Sequence, residues 1–173
     1  TKMSVSEHAY DRNRTWTTAE VRPVIETCIR ERAMYLGCMY KVMPKELFDL
    51  YAKRAMWEYG KLRKWTGPQN EPQTMVDFLG PAIESIGSTI GRGIVDSVDS
   101  ERAVLTYKDG CALADGWREM GLSDEEVDYL CKVACYCDMG QADGFGLDCS
   151  FDCTMTEPGC DICRMILTRR NAE

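Results

Sequence analysis

A helical stripe that ends in a carboxylate is the feature of this sequence that points most directly to chemistry. Its members recur at the spacing of one helix face: Val127, Leu130, Cys131, Ala134, Cys135 and Asp138. We expect this face to be buried, so that burial and the negative end of the helix dipole both disfavour the charged form of Asp138. A carboxylate in that position suits proton transfer. The alternative is that Asp138 only accepts hydrogen bonds from loop amides at Gly140 or Gln141.

Cysteines are unusually frequent, and seven of the ten lie between Cys131 and Cys163. Because no signal peptide is visible, a reducing compartment is favoured, and there such cysteines indicate free buried or functional thiols rather than disulfides. Cys131 and Cys135 lie one helical turn apart on the stripe, although cysteine is also a common core residue. Packing and chemistry therefore both stay open for each thiol.

One C-x-x-C sequence could hold a metal. Cys160 and Cys163 frame it at a Pro-Gly turn, where a zinc knuckle can form, and Cys153 could supply a further ligand. A strand that begins directly at the turn would instead send residues 160 and 163 to opposite faces. We expect no cofactor, with zinc or an iron–sulfur cluster as the alternative. Since His8 is the only histidine, an acid–base step must use Asp, Glu, Cys, Tyr or Lys.

The first half of the chain is expected to be helical. Thr17-Thr-Ala-Glu20 has the spacing of a capping box, and Pro44 suits the start of a second helix, which places helices within residues 18–65. Two prolines and a glycine in residues 66–73 predict a connector, and a third helix is expected from Thr74. The glycine-containing segment 87–93 lacks the spacing of a nucleotide-binding loop.

The second half changes to a mixed pattern. The predicted elements are, in order, a strand at 103–107, a helix at 111–120, a helix from Ser123 to about Asp138 and a loop at 140–146. The helix from Ser123 begins with a second capping box, which Glu126 completes.

Strict alternation then predicts a strand at 147–155 with Cys149, Phe151 and Cys153 facing the core. A type II turn at 157–160 returns the chain along a strand at 161–167. These elements predict an α+β fold with N-terminal helices packed on a C-terminal antiparallel sheet and hairpin. We expect one domain over residues 1–173, with a helical part at 17–98 and a cysteine-rich α+β part at 102–168.

The composition limits the partners. A net charge of −7 argues against nucleic acid and anionic lipid, because phosphate binding needs clustered Lys and Arg. No apolar run reaches the roughly 18 residues needed to span a membrane. We expect a cytoplasmic protein that binds a small-molecule substrate, either as a monomer or as a homo-oligomer.

Several short motifs form a set that is characteristic of a known family. They are Cys111-Ala-Leu-Ala-Asp-Gly-Trp117-Arg-Glu119-Met-Gly121, Leu130-Cys131 followed by Asp138, and Thr154-Met155 leading to Gly159 and Cys163. This set resembles the L-2-amino-thiazoline-4-carboxylic acid hydrolase family. Arg54-Ala55 and Tyr59-Gly60-Lys-Leu-Arg63 are similar to the N-terminal pattern of that family, so the resemblance covers roughly residues 30–168. The chain departs from the pattern at Cys160, where an Asp is expected.

The resemblance implies hydrolytic opening of a small sulfur–nitrogen heterocycle that carries a carboxylate. Asp138 is then expected to activate water or to protonate the leaving nitrogen, with Cys131 or Cys163 as nucleophile or polar wall. Cys111, Trp117 and Cys135 are expected to bind the substrate, with Trp117 closing over the ring. The alternative function is a non-catalytic module that binds a small ligand or a metal through the clustered cysteines.

Overall fold

The computed structural model describes residues 15–62 and 93–170, which form four helices and four strands. The helices are α1 (Thr18–Val42), α2 (Lys45–Leu62), α3 (Ala112–Glu119) and α4 (Asp124–Asp143). The strands are β1 (Gly93–Val98), β2 (Arg102–Tyr107), β3 (Leu147–Cys153) and β4 (Cys163–Arg169). The predicted α+β class is therefore confirmed. The helix predicted from Thr74 and residues 87–92 lie outside the described residues.

The four strands form one antiparallel sheet in the order β1-β2-β4-β3. The predicted hairpin is confirmed as the pair β3 and β4. The central pair joins β2 to β4, which are separated along the chain by α3, α4 and β3. Residues 93–98 form the edge strand β1, although the sequence predicts a helical part that extends to residue 98.

Helix α4 connects two apolar cores. Val127 and Leu130, near its beginning, are fully buried against Phe48 of α2 and Trp117 of α3. Near its end, Ala142 packs with buried residues of the sheet, among them Leu147 and Leu167. The middle turns of the helix, residues 131–138, therefore lie at the junction between the helical layer and the sheet. None of the four described helices is long and apolar enough to cross a membrane.

Both predicted capping boxes are present and mark where α1 and α4 begin. The Ser123 hydroxyl accepts a hydrogen bond from the Glu126 amide at 3.3 Å, and the Glu126 carboxylate accepts one from the Ser123 amide at 2.8 Å. Thr17 and Glu20 make the same reciprocal pair. Each box satisfies backbone donors that the first helical turn leaves unpaired.

Helix α4 continues to Asp143, so the loop predicted at residues 140–146 begins later than expected. The glycine that suggested a loop serves a close helix crossing instead. A Cβ atom on Gly140 would lie 2.0 Å from the Trp57 carbonyl oxygen, and one on Gly60 would lie 2.0 Å from the Cys137 carbonyl oxygen. Because α2 and α4 touch backbone to backbone at these two residues, glycine is required inside both helices.

Strand β3 has the predicted alternation. Leu147 is buried, Cys149, Phe151 and Cys153 are partly buried, and the residues between them are exposed. The strand ends at Cys153 rather than at residue 155. The predicted turn follows: the Cys160 amide donates to the Glu157 carbonyl at 3.1 Å, and Gly159 has a φ of 83°. A positive φ at this position is what a type II turn requires.

A candidate thiol site

Four cysteines meet where α4 crosses the start of α3 and the start of β4. Cys131 and Cys135 lie on α4, Cys111 directly precedes α3, and Cys163 is the first residue of β4. Cys131 is buried and the other three are partly buried. Their sulfur atoms lie close enough for a charge on one to shift the pKa of its neighbours. We call these four residues the thiol cluster, and it brings together four of the residues that the sequence singled out.

The surroundings of Cys131 favour its thiolate form. The Cys135 thiol hydrogen-bonds to it from the next helical turn, and the hydroxyl groups of Thr156 and Thr154 lie within hydrogen-bonding range. These contacts outweigh burial and lower the pKa of Cys131 to about 7. The same hydrogen bond, together with burial, raises the pKa of Cys135. Of this pair, Cys131 therefore ionises and Cys135 keeps its proton.

The two hydroxyl groups come from the hairpin loop, defined here as residues 154–162 between β3 and β4. Thr156 donates to the Asp128 carboxylate at 3.0 Å, and its oxygen lies 3.2 Å from that of Thr154. A hydroxyl has only one proton to give. Because Thr156 gives its proton to Asp128, the Thr154 hydroxyl holds the proton that is available to both the Thr156 oxygen and the Cys131 sulfur. Thr154 is 3% exposed, so water offers it little competition.

The sequence did not identify Asp128 or Thr156 as members of this site. One signal was available for Asp128, which precedes Cys131 by three residues and so shares its helix face. No local pattern marks Thr156, because only the folding of the hairpin loop onto α4 brings it to the cluster. Thr154 entered the sequence interpretation only as part of a family motif.

The other two thiols of the cluster are held in the protonated form. Burial raises the pKa of Cys163 to about 11, although the Met155 amide donates a hydrogen bond to its sulfur at 3.3 Å. Burial also raises the pKa of Cys111, and the amides of Ala114 and Leu113 at the start of α3 offset this only in part. Near neutral pH, Cys131 is therefore the best nucleophile of the four.

Asp138 lies beside the thiol cluster, one helical turn beyond Cys135. Its negative charge raises the pKa of Cys135, Cys149 and Cys163, because each of these thiols would become a second negative charge nearby. Its expected position at the helix end is wrong, however. Helix α4 runs on to Asp143, and the dipole effect falls off within the last turn. The same extension places Gly140 and Gln141 inside the helix rather than in a loop.

Trp117 is buried in the same apolar core as Cys131. Its side chain is 1% exposed, and its indole N–H donates to the Ala33 carbonyl at 2.7 Å. This contact ties α3 to α1 within the helical core. Trp117 thus has a structural role, and its closure over a substrate ring stays a prediction.

Cys153 and Cys160 form a disulfide, with their Cα atoms 6.4 Å apart. This Cα separation lies within the range that a cross-link requires, so the pairing of these two residues differs from the expectation of free thiols. Within residues 15–62 and 93–170, no group of three or more His, Cys, Asp or Glu side chains is arranged to hold a metal ion.

Comparisons with known proteins leave the site to be interpreted from its own geometry. No family model matches the chain, and no curated protein or solved structure is significantly similar to it. The family resemblance described above accordingly rests on the quoted motifs alone.

Proposed function

We propose that the protein is a cysteine-dependent hydrolase that opens a C–N bond in a small carboxylated heterocycle, such as a cyclic amidine or amide. The observation that carries this proposal is the setting of Cys131, a buried sulfur that hydrogen-bonds with Cys135 and faces the Thr154 hydroxyl. Asp138 supplies a carboxylate two turns further along the same helix face. A thiolate nucleophile and a nearby acid–base group are the two parts that such a reaction needs.

The proposed reaction adds one water molecule across the C–N bond. The Cys131 thiolate attacks the ring carbon, a C–S bond forms, and the C–N bond breaks with its electron pair passing to nitrogen. Asp138, which takes up a proton when the substrate binds, gives that proton to the nitrogen. Water then attacks the same carbon while the Asp138 carboxylate takes a proton from it, and cleavage of the C–S bond returns the Cys131 thiolate. Cys135 supports the thiolate at the start and the end of the cycle through its hydrogen bond.

The same setting distinguishes the two cysteines that the sequence left as candidate nucleophiles. Cys163 has a pKa of about 11 and is almost entirely protonated at pH 7, whereas Cys131 is about half ionised. We therefore assign attack to Cys131. Cys163 and Cys111 then serve as polar walls of the site.

The test uses 2-aminothiazoline-4-carboxylate and related cyclic amidines, with ring opening followed by mass spectrometry. We expect Cys131→Ser to abolish turnover and Asp138→Asn to reduce the rate by about 10²–10⁴-fold, the usual loss for a positioned acid or base. Asp148→Asn is the matched control, because Asp148 is an exposed carboxylate that pairs with Arg170 on the surface. An Asp138→Asn protein that melts like the wild type and keeps full turnover would rule out the proton-transfer role.

The second candidate function is a non-catalytic module that binds zinc or an iron–sulfur cluster, and the number of cysteines in this part of the chain, rather than an arrangement already formed around a metal, is what supports it. Cysteine sulfur is the preferred ligand for both. Elemental analysis of protein purified without oxygen separates the two functions. Stoichiometric zinc or iron that is lost in Cys131→Ser and Cys163→Ser supports the binding module, whereas metal-free protein with a reactive Cys131 supports the hydrolase.

A further inference from the structure

Helix α1 has a second side, rich in apolar residues, that faces away from the rest of the protein. Its inner side packs on α3 and contains the buried residues Ala33 and Gly37. The opposite side carries six exposed residues, which we call the outer stripe: Val24, Cys28, Glu31, Tyr35, Cys38 and Val42. Tyr35 is 77% exposed and Val42 is 79% exposed. A helix that only covers a core is typically polar on this side, so the outer stripe needs a different explanation.

The outer stripe has the spacing of a coiled-coil seam. Its residues are separated alternately by four and three positions, which is the a/d pattern of a heptad repeat. Glu31 is its only charged member, and the flanking side chains of Met34 and Met39 are 40% and 44% exposed. Between residues 24 and 42 the stripe is about 27 Å long, at 1.5 Å per residue. Exposed apolar side chains in this pattern indicate a surface that another helix covers.

We propose that the outer stripe joins two copies of this chain, with their α1 helices packed antiparallel. Antiparallel helices pair each a residue with a d residue, and a pair centred at the level of residue 33 matches the whole stripe at once. The facing residues of the two copies are then Val24 with Val42, Cys28 with Cys38, and Glu31 with Tyr35. Because each pair occurs twice about the two-fold axis, the outer stripe is complementary to itself, as the contact of a symmetric dimer must be.

The charged groups at the centre of the stripe favour the antiparallel direction. In this arrangement the Tyr35 hydroxyl of one copy can donate to the Glu31 carboxylate of the other. The exposed Arg32 lies beside the stripe, so two carboxylates and two guanidinium groups meet near the axis without a net charge. A parallel pair would place Glu31 against Glu31 inside the contact, where two like charges repel. The inference concerns assembly, so it does not depend on the proposed hydrolase activity.

Analytical ultracentrifugation of the full chain tests the proposal, and the wild-type protein should sediment as a dimer. Tyr35→Glu places a charge opposite Glu31 and should weaken the dimer by at least about 100-fold, because each dimer carries the change twice. Leu50→Glu is the matched control, since Leu50 is 63% exposed on α2 and lies outside the stripe. It should keep the wild-type affinity. Circular dichroism should show the wild-type helix content in both variants.

Two results of that experiment would overturn the proposal. One is a wild-type chain that stays monomeric at every concentration, in which case another segment of the same chain covers the outer stripe. The other is a dimer that Leu50→Glu dissociates and Tyr35→Glu leaves intact, which would place the contact on α2.

Cross-linking tests the direction of the helices. All ten cysteines lie within the described residues, and only Cys28 and Cys38 are exposed. These two are about 15 Å apart along one helix, so a bis-maleimide with a shorter reach cannot join them within one chain. In the dimer it should join tryptic peptide 15–30 of one copy to peptide 33–41 of the other. Mass spectrometry of the covalent dimer identifies the product.

Single serine variants make the cross-linking result decisive. In an antiparallel pair each exposed cysteine faces the other kind, so Cys28→Ser and Cys38→Ser should each abolish the covalent dimer. In a parallel pair either variant would keep one cross-link, because each cysteine would face its own copy. Peptide 15–30 joined to itself as the main product, or a covalent dimer that persists in either variant, would overturn the antiparallel arrangement.

Discussion

At the residue scale, the reactivity of the site depends on which of several neighbouring sulfur atoms carries a charge. Burial alone would keep all the thiols of the cluster protonated, because a charge is poorly solvated away from water. Hydrogen bonds determine which thiol ionises, and Cys131 is the sulfur that accepts them. The negative charge of Asp138 acts in the other direction on Cys135 and Cys163. One sulfur is thus ionised while the neighbouring thiols keep their protons.

The hydrogen bond from Cys135 should be the largest single cause of this activation. Replacing Cys135 with alanine removes the donor, which destabilises the Cys131 thiolate and moves its pKa from about 7 up toward the ordinary thiol value of about 8.5. Alkylation of Cys131 at pH 7 should therefore decrease, and its midpoint should move to higher pH. Cys135→Ser keeps a donor at the same place and should restore most of the activation. A Cys135→Ala protein with an unshifted midpoint would contradict this assignment.

At the element scale, the crossing of α2 and α4 determines where the site lies. Gly60 and Gly140 let the two backbones come into contact, and this contact fixes the rotation of α4 about its own axis. Cys137 faces the crossing, which turns Cys131, Cys135 and Asp138 toward α3 and the sheet. The predicted apolar stripe is consequently only part of the buried surface of α4, since Val133, Cys137 and Gly140 form a second buried side.

Alanine at either glycine of this crossing should destabilise the fold. A Cβ atom would lie 2.0 Å from a backbone oxygen in each case, so the helices must separate, at a cost of about 1–3 kcal/mol in the free energy of unfolding. Urea denaturation of Gly60→Ala and Gly140→Ala measures this cost. Gly37→Ala is the control, because its closest contact at 2.7 Å is the flexible end of the Met120 side chain. Three variants of equal stability would show that the crossing is not this close.

At the scale of the whole molecule, the thiol cluster lies at the junction of two cores. The helical core positions Cys131 and Cys135 through α4 and Cys111 through α3, while the sheet positions Cys163 through β4. No single layer contains the complete site. A change that weakens one core should therefore lower stability without changing the local hydrogen bonds of Cys131.

Trp117→Phe tests this separation of stability from reactivity. The substitution removes the indole hydrogen bond to the Ala33 carbonyl and reduces the packed volume, and we expect a loss of about 1–3 kcal/mol in the free energy of unfolding. The pH midpoint of Cys131 alkylation should stay at about 7 in the folded protein. A shifted midpoint with unchanged stability would instead return Trp117 to the site, as the family resemblance implies.

Local patterns in the sequence determined most of the elements, although they missed strand β1. The two capping boxes fixed the beginning of α1 and α4, because a hydroxyl and a carboxylate three residues apart pair wherever a helix starts. Alternation determined which face of β3 packs on the core, because successive side chains of a strand point to opposite faces of the sheet. The same helical periodicity placed Cys131, Cys135 and Asp138 on one face before any packing was known.

Only the tertiary structure decided what meets that face. The sequence gives no local indication that β2 pairs with β4, that Gly140 lies inside a helix, or that Thr156 reaches Asp128. Each of these contacts joins segments that are distant along the chain, and the stability of such a contact depends on shape and distance rather than on residue spacing. For the same reason the disulfide between Cys153 and Cys160 could not be chosen from ten cysteines, since cross-linking requires that two Cα atoms approach within about 7 Å.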